Sequence, residues 1–226
     1  MKIVVLTCDK YDWLMPGFAY LFNKNYGNVP VTVVCFRPLT LPPNFTIDVL
    51  PPEKDRFWTD IMQEYFEQMK DEYFLLLLDD YWLREPVNME NVKLLEDAIK
   101  DGADKAELTN TILHANGQPW KDKYVVAGQL ARYRCSTQPS IWTRKYFLSH
   151  LIPHQNIWEF EHLGSRQAGN DGATLVALNI ESRVFEFSNI MKKGNIAPKP
   201  PLKSFSKEDQ EGLRKLDYEK IFQGRL

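Results

Sequence analysis

Short apolar runs closed by polar or helix-breaking residues alternate with helically spaced apolar positions through the first hundred residues. KIVVLT (2–7), rich in β-branched side chains, runs into Cys8 and Asp9, as a buried parallel strand runs into a loop. Trp13, Leu14, Phe18, Leu21 and Phe22 then recur at helical spacing until Gly27. VTVVCF (31–36) predicts a second strand before Pro38, and FTIDVL (45–50) a third before Pro51 and Pro52. Trp58, Ile61, Met62, Tyr65, Phe66 and Met69 form the apolar face of an amphipathic helix leading into the strand YFLLLL. Asn88 is placed to cap a helix carrying Val92, Leu95 and Ile99 on one face and ending at Gly102.

The alternation predicts an α/β protein with a mostly parallel, Rossmann-related sheet flanked by helices and any ligand at the carboxyl ends of the strands. Beyond residue 104 the order loosens. AELTN, YVVAG and LARYRC read as short strands, 143–150 and 157–167 as helices, and 183–187 as a further strand. Ser206 and Asp209 have capping-box spacing for a last helix, reached through the extended connector APKPPLK (197–203).

Composition narrows the function classes. A chain of 226 residues with 44% hydrophobic content can bury the core of one large domain. The 28 basic and 30 acidic side chains give a formal net charge of -2, without the basic footprint of a nucleic-acid-binding protein. Cys8, Cys35 and Cys135 are far apart and in no CxxC spacing, which fits a reducing cytoplasm better than a disulfide framework. The apolar run at the start is too short for a secretory segment, and no run approaches the roughly 18 apolar residues of a membrane span. The expectation is a soluble, cytoplasmic protein.

Two stretches carry candidate chemistry. In LLLLDDYWLREP (75–86) the most apolar run of the chain meets Asp79 and Asp80, adjacent like charges that need solvent or a cation beside them. Such a pair at a strand end can hold a hard divalent ion that neutralises phosphate oxygens; the alternative is one carboxylate capping a turn and the other facing solvent. In IWEFEHLGSR (157–166) a helix beginning near Asn156 presents Trp158, Glu159, Glu161, His162 and Arg166. Glu159 and Glu161, two positions apart, point in different directions, so at most one enters a pocket on the apolar face. A glutamate against aromatic rings can serve as a general base, whereas on a solvated face it does nothing chemical. His150 and His154 flank Pro153, which breaks the helix that would join them in a zinc site, and no GxSxG elbow is present.

TCDKYDWLMPGFAYLFNKNYG, LLLLDDYWL and QPSIWTRKYFLSHLIPHQNIWEFEHLGS, taken in order over most of the chain, resemble small bacterial and phage glycosyltransferase-like proteins of the GT-A, nucleotide-sugar type. The resemblance implies a GT-A-like domain with a nucleotide-binding half (1–103), an acceptor and catalytic half (104–196) and a connector with C-terminal helix (197–226). It implies transfer of a sugar from a nucleotide-diphosphate donor, a UDP-sugar by default, to a glycan or other hydroxyl acceptor, with inversion, in polysaccharide biosynthesis. Asp79 and Asp80 stand where GT-A enzymes carry their metal-binding D-x-D motif, with Tyr81 at the third position, which implies Mn2+ or Mg2+ on one carboxylate and ribose or sugar against the other. Thr7 and Asp9 fall where the nucleoside is gripped. Lys192, Lys193 and Arg166 are candidates for the diphosphate. Glu161 matches the acidic base, with Glu159 as its alternative; Trp158 offers a platform to a sugar ring, and Gln138 lies on the acceptor side. Two rivals are a nucleotide- or glycan-binding protein that keeps the fold without turnover, and a phosphoester hydrolase built on Asp9, Asp79 and Asp80.

Overall fold

The computed structural model describes residues 1–52, 55–110, 117–180, 183–192, 195–197 and 201–218. The first apolar run becomes β1 (Lys2–Leu6), and a 3-10 turn at Asp12–Leu14 leads into α1 (Met15–Asn25). Pro16 lies in the first turn of α1, where a missing N–H costs nothing. β2 (Val31–Cys35) and β3 (Phe45–Val49) pair in parallel, Val31 opposite Phe45 and Cys35 opposite Val49. Next come α2 (Trp58–Gln68), β4 (Tyr73–Leu78), β5 (Tyr81–Leu83) and α3 (Met89–Lys100). The expected cap forms: the side-chain oxygen of Asn88 accepts from the N–H groups of Glu90 and Asn91.

The remaining elements are β6 (Lys105–Glu107), β7 (Gln118–Trp120), β8 (Tyr124–Val126), β9 (Ser140–Thr143), α4 (Arg144–Ser149) and α5 (Ile157–Glu159). A π turn at Phe160–Gly164 continues into α6 (Ser165–Gln167), followed by β10 (Leu175–Leu178) and β11 (Phe187–Asn189). β12 (Met191–Lys192), β13 (Asn195–Ile196), a 3-10 turn (Pro201–Ser204) and α7 (Lys207–Lys215) complete the described chain. Residues 198–200 of the expected connector lie outside the described residues.

The main sheet has the order β3-β2-β1-β4-β9-β6-β10-β8-β7. β10 is parallel to β6, while β9 runs antiparallel to both β4 and β6. The architecture is α/β, with a large, mostly parallel central sheet flanked by helices. Two expected strands differ. LARYRC is a turn, because Tyr133 takes φ 61 and its carbonyl accepts from the N–H of Ser136 at 2.9 Å. The strand expected at 183–187 is displaced to β11, which pairs with β5, Phe187 opposite Leu83. Among the described residues, no helix is long and apolar enough to cross a membrane.

Contacts divide the chain into two units: Met1–Val4, Pro51–Leu77 and Asn88–Val184 form one, and Val5–Leu50, Leu78–Val87 and Phe185–Leu226 the other. The first unit has an aromatic core in which Phe66 stacks on Phe74 at 4.4 Å and Phe147 meets both edge-on, at 4.7 and 5.5 Å. Phe160 is fully buried against Trp58 and Phe147, at 5.2 and 5.7 Å, which fixes the helix that carries Glu161. The second unit centres on the buried Trp82, which meets the ring of Tyr218 edge-on at 4.8 Å.

Candidate active site

In the second unit, the carboxyl ends of the strands gather Thr7, Asp12 and Asp79, all buried, with Asp80 half-buried and Asp9 exposed. The Thr7 hydroxyl donates to Oδ2 of Asp79 at 2.5 Å. The Asp79 backbone is fixed as well: its N–H donates to the Leu6 carbonyl at 3.2 Å, and its carbonyl accepts from the Trp82 indole at 3.1 Å. Burial pushes the Asp79 carboxyl well above the usual aspartate range, and the neighbouring charge of Asp80 adds to this; the hydroxyl of Thr7 works the other way. Asp79 is therefore an internal group that holds its proton more tightly than an ordinary aspartate, and Asp80 is its half-buried neighbour.

Asp9 lies in a turn whose Cys8 carbonyl accepts from the N–H groups of Tyr11 and Asp12, both at 2.9 Å. Behind it, Asp12 is gripped by both arms of the Arg37 guanidinium, Nη2 donating to Oδ1 at 2.5 Å and Nε to Oδ2. The carbonyl of Asp80 accepts from the N–H of Ile190 at 3.0 Å, and the Ile190 carbonyl accepts from that of Ala197 at 2.9 Å. These bonds root the β12–β13 hairpin at the Asp80 corner, so the exposed Lys192 belongs to the same neighbourhood. Lys193 lies outside the described residues.

Of the two adjacent aspartates, Asp80 is the more exposed and is the one that would hold a metal ion. Asp79 has one carboxyl oxygen committed to Thr7, and among the described residues no three His, Cys, Asp or Glu side chains gather as a ready-made cage.

In the first unit, Glu161 sits in the π turn, a helical irregularity that often marks functional positions. Its Oε1 accepts two hydrogen bonds from Thr137, from the backbone N–H and from the hydroxyl, each at 2.7 Å. Among the described residues no hydrogen bond reaches Oε2. The helix lies close against the loop that presents Thr137: a Cβ on Gly164 would stand 3.3 Å from Cβ of Cys135, and the Ser165 hydroxyl oxygen accepts from the Cys135 N–H at 3.0 Å. Gln138 follows Thr137 directly and is half-buried, its carbonyl accepting from the Ser140 hydroxyl at 2.7 Å.

The other residues of this helix are placed differently. Glu159 closes a capping box, its Oε2 accepting from the Asn156 N–H at 2.8 Å, and is exposed. Trp158 is 57% exposed, a ring face open to a ligand, and Arg166 is exposed. His150 is buried with Nε2 3.3 Å from Asp171, while His154 is exposed beside Asp60, so the two histidines serve separate pairs.

Beneath Glu161 lies a group of buried ions that the sequence reading did not single out. Lys105 is fully buried; its ammonium donates to the carbonyls of Ser136 at 2.9 Å and Arg134 at 3.2 Å, stands 3.6 Å from Glu107 and lies 4.3 Å from the Trp142 ring centroid. Burial pulls its pKa down, against the opposing charges of Glu107 and Glu161. Arg134, also buried, pairs with Asp171 at 2.8 Å and donates to the carbonyls of Gly128 and Ala173. Cys135 between them has its thiol pushed up to about 12 by burial, which removes it as a nucleophile at neutral pH.

No protein-family model matches the chain, and no curated protein matches it. Solved structures do. S. aureus TarS 1-349 aligns with 15% identity and a TM-score of 0.52, over 81% of this chain and 59% of that one. TarS is a glycosyltransferase of the GT-A type. The fold is GT-A-like. The complexes of TarS 1-349 with UDP and with UDP-GlcNAc align with TM-scores of 0.53 and 0.54, both at 14% identity, over 67% and 64% of the TarS chain. The GT-A-like chain thus spans about three fifths of the first of these structures, and the likeness is one of fold.

Proposed function

We propose that the protein is a glycosyltransferase that moves a sugar from a nucleotide-diphosphate donor to a hydroxyl acceptor. The observation that carries this reading is the state of Glu161 in a GT-A-like fold: one carboxylate oxygen is anchored twice by Thr137, and the other receives no bond among the described residues. A general base needs this division, one oxygen to hold the group and one to take the proton. Oε2 removes the acceptor's proton as its oxygen bonds to the anomeric carbon and the bond to the donor's diphosphate breaks, with inversion at that carbon. Trp158 gives the sugar ring an apolar platform, and Gln138 contacts the acceptor.

The donor belongs to the strand ends. Thr7 and Asp79 form the buried floor, Asp9 and Asp80 reach the donor's polar groups, and Lys192 is the cation we assign to the departing diphosphate, with Lys193 beside it in sequence; Arg166 is a further candidate by the sequence resemblance alone. A Mn2+ or Mg2+ ion would take Asp80 as its protein ligand and supply charge neutralisation at the diphosphate. UDP is the first donor nucleotide to test, since TarS is solved with UDP and UDP-GlcNAc.

A second reading, a nucleotide-binding protein without turnover, draws on the commitment of Asp79 to Thr7, which leaves fewer open carboxylates than a D-x-D site offers. Thermal stabilisation by UDP, GDP, CDP and dTDP, each with and without Mn2+, tests the donor site: a ligand at about 100 times its Kd adds roughly 2.7 kcal/mol. The expected result is stabilisation by one nucleotide, diminished in Asp80→Ala. No stabilisation by any nucleotide would remove the donor site.

A further inference from the structure

The segment that presents Thr137 to Glu161 is held from inside by a buried cation. Lys105 projects from β6 opposite Trp142 in the β9 register, and its ammonium donates to the carbonyls of Arg134 and Ser136. Ser136 is joined directly to Thr137, whose N–H and hydroxyl both hold Glu161 Oε1. A rotation of the peptide after Ser136 would therefore disturb the Lys105 bond and the Glu161 bond together. Arg134 ties down the beginning of the same segment through Asp171, Gly128 and Ala173, so the loop is fastened at both ends by charge-assisted bonds.

Burying a lysine completely is costly, and an apolar residue of similar volume would serve packing alone better. Here the ammonium has three defined acceptors, two carbonyls and the Glu107 carboxylate, and a ring face beside it. That is more coordination than neutralising Glu107 requires, and both carbonyls belong to the loop that holds Glu161.

We propose that Lys105 is a positioning residue for the base Glu161, fixing the 134–137 segment so that Thr137 directs the carboxylate. Lys105 touches no substrate; it acts through Ser136 and Thr137. The inference rests on the reading of Glu161 as the base. The ionisable groups around it are Glu107 on the same strand, Arg134 and Cys135 on the loop, and Asp171, which pairs with Arg134.

The test is the backbone amide of Thr137 in the full chain, read as its NMR proton shift and its hydrogen-exchange rate, comparing wild type with Lys105→Met and Lys105→Arg. Loss of the ammonium should move the Thr137 amide signal upfield and speed its exchange about tenfold, as the bond to Glu161 loosens, and Lys105→Arg should return both toward wild type. If Lys105→Met does not fold, the reciprocal experiment decides: Glu161→Gln, at a partly exposed position, should move the NMR signal of the labelled Lys105 side-chain carbon, because both groups hold the peptide between Ser136 and Thr137. A Thr137 amide unmoved in folded Lys105→Met, or a Lys105 signal unmoved in Glu161→Gln, overturns the proposal. Release of UDP from UDP-GlcNAc by wild type is followed in parallel: its absence counts against the glycosyltransferase reading, while the NMR readings still decide the positioning.

Discussion

Thr7 donates its hydroxyl hydrogen to Asp79 across 72 positions of sequence, at 2.5 Å in the interior of the fold. The two residues stand just past the ends of β1 and β4, the strand ends at which an α/β sheet binds its ligands. Against this bond, burial and the neighbouring charge of Asp80 raise the Asp79 carboxyl well above the usual range, which separates the adjacent aspartates into an inner group that holds its proton more tightly and an outer, half-buried one.

The separation has a signature in pH. The folded-state pKa of Asp79 lies above its ordinary value of 3.8, so the native state binds that proton more tightly than the unfolded chain does. Its contribution to stability is complete below about 4 and is lost as pH rises through the folded value. Asp79→Asn keeps an oxygen for Thr7 and removes the titration. Melting temperatures measured from pH 4 to 8 should show the variant gaining on wild type as pH rises; parallel curves would contradict the assignment.

Gly17→Ala should destabilise the second unit. A Cβ there would run into the buried Trp82 ring and stand 2.9 Å from Cε2 of Tyr218, whose hydroxyl accepts from the Gly17 N–H at 2.9 Å and donates to the Trp13 carbonyl at 2.6 Å. Rigid rings on both sides cannot yield cheaply, and a loss of about 1–3 kcal/mol is expected, read as a lower denaturant midpoint. A wild-type midpoint would show that the contact relaxes.

Glu159 and Glu161 should part company on substitution. Glu159 caps its own helix together with Asn156, so Asn156→Ala should cost about 1 kcal/mol and Glu159→Gln should leave turnover near wild type. Glu161→Gln should abolish turnover at nearly unchanged stability. Equal losses from the two glutamine variants, measured as initial rates, would remove the distinction.

Thr137→Val deletes one of the two bonds to Glu161 and keeps the backbone one. A hydrogen bond to a charged group is worth about 1.5–3 kcal/mol of stability, so the melting temperature should fall by several degrees, and kcat should fall about tenfold or more as the carboxylate loses an anchor. An unchanged kcat would mean that the carboxylate needs no anchoring.

Much of this was legible in local pattern. β1 to β4 and α1 to α3 follow from apolar periodicity, the Asn88 cap and the breaks at Gly27 and Gly102, whose φ values of 114 and 102 suit glycine. The Asp79–Asp80 corner announced itself by placing charge after leucines. LARYRC misled because its alternation imitates a strand, whereas Arg134 turns inward to Asp171 and Tyr133 adopts a left-handed conformation. SIWT gives no strand signal, since four residues between turns carry little periodicity. Lys105, Glu107, Arg134 and Asp171 were invisible for a different reason: charged side chains belong by default at the surface, and Arg134 finds Asp171 37 positions away only after folding.

The central claim is that this GT-A-like chain transfers sugar with Glu161 as its base. The most direct measurement is the initial rate of nucleoside diphosphate release from UDP-, GDP-, CDP- and dTDP-sugars in the presence of hydroxyl acceptors, for wild type and Glu161→Gln. The account predicts release from one donor class by wild type, lost in Glu161→Gln although that variant still binds the same nucleotide. Folded wild-type protein that releases nothing from any donor, or a Glu161→Gln variant as fast as wild type, would contradict it.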